Sequence, residues 1–457
     1  MHIKKVGGSL LLLALAWLTP VSSNAQDLDP VLRNLIEKGI DKSHELNNKE
    51  FEAQQAVIDQ KLARAVFLPK ITLNGNYTRL DSDISFDEDT QQLLTGTQKL
   101  IIKEAAGIPF NSEFPAGVPV QPIPAIQESN ILKSSVDLDW TLFSGFQASN
   151  ALKASKHKEA SINYAALAME DKIALKIIET YDQLALVNAS AEVLETTEDY
   201  LEQQEKFVQK AIENGLATPI ERKKVELALQ QLIARQLEFE QNRTILIELL
   251  HMLTGEQKNV LSAINPQLGS MGISETEQAE KRDEIKALEE AETASLYKAK
   301  MQRNNFIPKI ALKGHYELLE DDLSLLDPKW YVGVGIRWNV FDGNKSRLEA
   351  KKSQLEAEKY REQREDAEEK IALSMIKAQQ NLEASQQNTR IVQKEIELAM
   401  ETYELTDKQY RNDLAPINDV LDALRDLEKA EFKLQDSYFQ ERRAKTELLH
   451  AQGKLNY

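Results

Sequence analysis

The chain has 457 residues, no cysteine and a formal net charge of −17, with 73 acidic against 56 basic side chains. Without thiols there is no disulfide, no thiolate metal site and no lipid attached through an N-terminal cysteine. The acidic balance, with no basic stripe to offset it, argues against a nucleic-acid partner.

Residues 1–25 begin with Lys4 and Lys5, continue through the apolar run Leu10–Leu18 and close on Ser23-Asn24-Ala25. That order predicts a cleavable secretory signal peptide over 1–25. The run is too short for a membrane-spanning helix, and no later segment reaches the ~18 to 20 apolar residues such a helix needs. A membrane crossing therefore has to be made by strands. Helices are expected over 26–66.

Two segments, Phe67–Tyr77 (FLPKITLNGNY) and Phe306–Tyr316 (FIPKIALKGHY), are nearly the same sequence. Each passes a proline and switches from helical periodicity to alternation of apolar and polar residues, as a duplicated helix-plus-strand unit does. Strands are predicted over Lys70–Leu80, Ile131–Phe143, Lys309–Leu319 and Lys329–Phe341. They form strand pair 1 (67–143) and strand pair 2 (306–341). Successive side chains point to opposite faces, so each strand has one greasy and one polar wall. The lengths are close to the ~9 to 11 residues of a tilted transmembrane strand. Trp140, Trp330 and Trp338 fall on the apolar walls with Tyr77 and Tyr316, as in an interfacial aromatic girdle. Four strands cannot close a barrel, and an open edge leaves backbone groups unpaired in lipid. Several copies must complete the wall; two or three satisfy the physics equally. Between the first two strands lies an enlarged loop, 81–130, ending in a Pro-rich run and expected to be extracellular.

Each half then becomes helical. Ser144 with Gln147 fits a capping box. From Ile371 to Tyr410 apolar and small residues recur at spacings of four and three, and the same register holds 198 residues earlier from Ile173 to Ile212. This heptad seam, rich in small and polar members, suits a broad assembly of helices. From Gln147 to Glu213 a helix would run about 100 Å at 1.5 Å per residue, which places most of it in the periplasm. Hairpin 1 (144–253) turns at a tip over 213–221, and hairpin 2 (342–451) at a tip over 411–419. Asn214-Gly215 suits a left-handed helix end, and Thr218-Pro219 with Glu221 makes a capped start. A connector (254–284), a helix (285–305) and a C-terminal tail (452–457) complete the plan.

With these motifs in place, the chain resembles the TolC-type outer-membrane factor (outer membrane efflux protein) family over nearly its whole mature length. The resemblance rests on the duplicated F-[LI]-P-K-I segment, the W-x-[LV]-F-[SD]-G strand end, and the tips GLATPIE and APINDVLDA. It implies a mixed fold, a membrane β-barrel joined to a long α-helical coiled-coil barrel. In a homotrimer, four strands per protomer would make twelve, above a twelve-helix periplasmic tunnel. It implies a passive exit duct in the outer membrane that docks on a periplasmic adaptor (membrane fusion protein) and an inner-membrane pump, of the RND, ABC or a similar class, for efflux or type I secretion. Asp419 and Asp422 match a paired-aspartate ring at the periplasmic entrance, Tyr410 an aromatic constriction, and Glu221 an acidic gate position. Three residues apart, the two aspartates can share one helix face; as solvated charges at a helix start they fit the macrodipole as well. Ala415 stands where some members hold a gate-locking arginine, so that lock is absent. Tip residues Asn214, Gly215, Leu216, Ala217, Thr218, Leu414, Ala415 and Pro416 are the expected adaptor contacts.

An enzyme is not expected. The six histidines show no metal-ligand spacing, and no phosphate-cradling loop or nucleophile elbow occurs; no metal or cofactor is implied. The rival reading is a periplasmic adaptor-like coiled-coil protein of an export complex, which would carry one hairpin where this chain has two.

Overall fold

Prolines at both helix-to-strand junctions, Pro69 and Pro308, mark where the chain leaves helical geometry in this computed structural model. It describes residues 28–268, 281–320, 328–455 and 457. The expected signal peptide, residues 269–280 of the connector and residues 321–327 between the last two strands lie outside the described residues. These described residues pack as two units, one built from Phe51–Ile162 with Leu288–Gln363, the other from Asn163–Ala287 with Arg364–Tyr457 and the residues before 51.

The first unit holds the sheet. Strands β1 (Lys70–Arg79), β2 (Asn130–Phe143), β3 (Lys309–Glu320) and β4 (Trp330–Arg337) pair antiparallel in chain order, which leaves β1 and β4 as edges. The register keeps the two walls apart. One face carries the rows Ile71–Leu138–Gly314–Val332 and Leu73–Val136–Tyr316–Trp330, with Trp140–Leu312–Val334 beyond them. The other carries Lys70–Asp139–Lys313 and Thr72–Asp137–His315–Tyr331. Three expected strands form within a residue or two of their predicted ends. The fourth stops at Arg337, not Phe341, because its partner strand begins at Lys309: Pro308, just before, has no N–H with which to extend the ladder.

The strand-to-helix elbows are built alike. Gly145 and Phe146 both have positive φ (63° and 61°), and so do Gly343 and Asn344 (67° and 64°). Ser144 Oγ accepts from Ala148 N at 3.2 Å, as Asp342 Oδ2 does from Ser346 N at 3.0 Å. The capping box expected of Ser144 and Gln147 does not form. The Gln147 amide donates instead toward Met301 O and Asn305 Oδ1, each at 3.4 Å. A tertiary partner has outcompeted the local one.

The enlarged loop contains a helix that periodicity did not predict, α3 (Glu88–Ala105), capped by Asp87, whose Oδ1 accepts from Thr90 N at 2.9 Å. The buried Lys103 donates to the carbonyls of Phe110 and Ser112 and ties the helix to the chain that follows it.

The second unit is helical. Helix α1 (Pro30–Lys42) starts at Asp29, whose Oδ1 accepts from Val31 N at 2.9 Å. It packs Leu32, Leu35 and Ile36 into a core with Ile177, Ile178 and Leu184 of α4 (Gln147–Glu213) and Leu250 of α5 (Pro219–Thr254). Gly39 allows that approach: a Cβ there would meet Ile177 Cδ1 at 2.3 Å. The predicted heptad register is observed. Every seam position from Ile173 to Ile212 on α4, and from Ile371 to Tyr410 on α8 (Lys345–Arg411), is buried or half-buried. Helix α9 (Ile417–Ala451) returns from the second tip along Val420, Leu424 and Leu427. Helices α2 (His44–Ala65), α6 (Lys258–Ala263) and α7 (Asp283–Arg303) complete the set named here.

Candidate channel wall and helical tips

The sheet presents an exposed apolar face. Ile71, Leu73, Val332, Val334 and Ile336 are all largely exposed, and no charge interrupts their rows. Of the expected aromatic girdle, Tyr77, Trp140, Tyr316, Trp330 and Trp338 are all exposed. Trp140 and Trp338 are also anchored: their Nε1 atoms donate to Phe67 O and Phe306 O, each at 2.9 Å. An indole with one satisfied N–H and an apolar body suits an interface that is greasy on one side and wet on the other. On the opposite wall acids and bases alternate, with Lys313 Nζ 3.8 Å from Asp139 Oδ1 and His315 Nδ1 2.6 Å from Asp137 Oδ1. Among the described residues no helix is long and apolar enough to cross a membrane, and no cluster of His, Asp or Glu could hold a metal ion.

The tips turn by one mechanism. In the first, Gly215 (φ 74°) donates to Ile212 O at 3.0 Å and Leu216 N to Ala211 O at 2.8 Å. In the second, Asp413 (φ 59°) donates to Tyr410 O at 3.0 Å and Leu414 N to Gln409 O at 2.8 Å. These are paired Schellman closures that satisfy the last carbonyls of each helix. They leave Leu216 69% and Leu414 77% exposed. Asn214, Thr218 and Pro416 are also exposed, and Ala217 and Ala415 half-exposed.

Sequence reasoning gave Glu221 two separate readings, a cap and a gate residue; in the structure its carboxylate bonds to both Thr218 and Tyr410. Its Oε1 accepts from Thr218 N at 3.3 Å, and its Oε2 accepts from the Tyr410 hydroxyl at 2.8 Å. Tyr410 is buried, edge-on to Phe207 with centroids 5.6 Å apart, and Arg411 lies over the same Phe207 ring. Burial, and then the Glu221 carboxylate, push the Tyr410 phenol well above its ordinary value, so it stays a donor. One turn before, Gln204 Nε2 donates to Asp407 Oδ1 at 2.6 Å. Asp419 and Asp422 are not part of this cluster. Both are exposed, and Asp422 pairs with Arg425 at 2.7 Å.

Two ion pairs between hairpins escaped sequence reasoning. Arg235 of α5 holds Glu428 of α9 with both terminal guanidinium nitrogens, Nη2 at 3.0 Å from Oε2. Arg442 of α9 donates to the buried Asp182 of α4 at 2.6 Å. Neither pair is signalled locally: Glu428 stands among Arg425, Asp426, Lys429 and Glu431, and only Asp182 lies in a mostly apolar stretch. Burial pushes Asp182 up to about 6 although Arg442 pulls it down.

Residues 276–454 match the sequence model of the family described as Outer membrane efflux protein. That match covers the C-terminal two fifths of the chain. No curated protein sequence matches it. Among solved structures, the outer membrane protein VceC from Vibrio cholerae superposes with a TM-score of 0.71 at 16% identity, over 93% of this chain and 96% of that one. The CmeC outer membrane channel of Campylobacter jejuni gives 0.70 at 14%, over 99% and 94%. The open state of the MtrE outer membrane channel of Neisseria gonorrhoeae gives 0.68 at 14%, over 94% and 89%. The chain thus shares the fold of these outer-membrane channels, a helical part joined to a small β domain.

Proposed function

We propose that this protein is the outer-membrane exit duct of a tripartite efflux or type I secretion system, a passive conduit that an adaptor and an inner-membrane pump feed from the periplasmic side. One observation carries the reading: a four-stranded sheet with an uncharged, exposed apolar wall and a charged polar wall, on a fold shared with outer-membrane channels. The wall facing lipid must be apolar and the wall facing the lumen polar. The partial family match and the shared fold support the outer membrane as its location.

The unpaired edges of β1 and β4 support closure by further copies, and the family resemblance favours three, with twelve strands in all. Apolar residues left exposed on the helices support the same assembly. They are Ile376, Ile391, Leu398 and Leu405 on α8, and Leu227, Leu237, Ile245 and Met252 on α5. Each group recurs at nearly helical spacing, as seams awaiting a neighbour do. In that assembly Asp419 and Asp422 form a cation-screening ring at the periplasmic entrance, and Tyr410 with Glu221 holds the tip closed. Leu216 and Leu414, with the residues flanking them, meet the adaptor.

The test is reconstitution of the detergent-purified mature chain in planar bilayers, with its mass measured in the same preparation. Conducting trimers, whose cation selectivity changes in Asp419→Asn/Asp422→Asn, are expected. A water-soluble monomer without conductance would overturn the proposal.

A further inference from the structure

On the polar wall, toward the strand ends that the 81–130 loop joins, lies a cavity of about 390 Å³ lined by Asn74, Lys133, Ser135, His315, Glu317 and Tyr331, among others. Glu317 is only 6% exposed, yet its Oε2 has no hydrogen-bond partner among the described residues. Its other oxygen is 4.0 Å from Lys133 Nζ. A buried carboxylate oxygen left without a donor is costly, and such groups are uncommon in folded proteins. The surroundings are already committed. Asp137 is taken by His315 and by the Asn74 amide, and one face of Tyr331 is covered by the His315 ring, whose centroid is 5.3 Å away. Beside the already engaged Lys133, the cavity is lined by a carboxylate oxygen that only accepts, the Ser135 hydroxyl and an aromatic ring.

Acceptors beside an aromatic face recognise an ammonium or guanidinium group, which donates to the carboxylate and is drawn to the ring quadrupole. We propose that this cavity is a binding site for small organic cations, primary amines or guanidines, with Glu317 as the anchoring carboxylate. The proposal rests on the duct reading, since only then does the polar wall line a lumen. A bound amine would stand on the path near its outer end and slow permeation while it stays.

The experiment adds spermidine to the strand-loop side of single channels of the full mature chain and reads the concentration that halves the current. Reversible block is expected in the unmodified protein. In Glu317→Gln the half-blocking concentration should rise at least about tenfold, the loss of one charge-assisted bond. In Tyr331→Ala it should rise severalfold. In Asp139→Asn, one row away on the same wall, it should change little. If Glu317→Gln does not assemble, the Tyr331→Ala and Asp139→Asn pair carries the comparison. Conduction without block, or an equal loss of block in Asp139→Asn, overturns the site while the duct stands. Absence of conduction in every form overturns the duct and the site with it.

Discussion

The hydroxyl of Tyr410 and the carboxylate of Glu221 meet at 2.8 Å although 189 residues separate them. The bond joins the last turn of α8 to the first turn of α5, one helix from each hairpin. Tyr410→Phe keeps the ring against Phe207 and removes only that bond, so it should loosen the tip by about 1 kcal/mol. In single-channel recordings the expected outcome is a larger mean current and more frequent open events, with assembly unchanged. An unaltered record would show that the bond does not hold the entrance.

Asp182 and His450 make opposite contributions to pH dependence. Asp182 has its folded value raised to about 6 by burial, so between its ordinary 3.8 and 6 the folded state binds more protons than the unfolded one. Stability from this group is full below about 3.8 and is lost as pH rises through 6. Burial and the neighbouring Arg282, 3.2 Å from its Nε2, hold His450 down at about 4. The folded state therefore binds fewer protons between 4 and 6.5, and stability from this group rises with pH across that window. The two slopes oppose, and melting followed by circular dichroism should show a shallow net dependence. Asp182→Asn should leave a rising slope and His450→Asn a falling one. Identical slopes in both variants would contradict the assignment.

Asp413 occupies the left-handed conformation that Gly215 occupies in the first tip. A side chain there costs about 1 kcal/mol relative to glycine, somewhat less for aspartate, which tolerates the region. Asp413→Gly should stabilise the second tip slightly and Gly215→Ala should destabilise the first by about 1 kcal/mol, both read from denaturant midpoints.

Ile336, 71% exposed on the apolar wall, gives the sharpest test of the lipid face. Ile336→Arg should cost about 2–4 kcal/mol if it lies near the bilayer midplane and should prevent insertion, scored by membrane fractionation. Thr72→Lys, on the polar wall, should insert normally. Equal tolerance of both changes would place neither wall in lipid.

Periodicity carried much of the fold because it reports which face of an element is wet. The heptad seam on α4 and α8 and the two walls of β1 to β3 were legible for that reason. What was not legible depended on partners distant in sequence. Gln147 left its local box for Met301 and Asn305, and β4 ended where Pro308 had removed a donor from its partner strand. Helix α3 was hidden by Gly96 and by the prolines that follow it. At the tips, motif matching singled out Tyr410 and Glu221 but not the bond between them. Asp182 with Arg442 and Glu428 with Arg235 carried no signal of pairing, since nothing local tells one charged residue which helix will face it.

The bare flanks of β1 and β4 have an evolutionary corollary. In the closed wall we propose, each flank meets the opposite flank of the next copy, so a single gene encodes both sides of every joint. A change that spoils the fit on one flank is repeated at every seam of the ring, and a compensating change on the other flank repairs every seam at once. The two flanks should therefore drift together, as tenon and mortise cut from one plank.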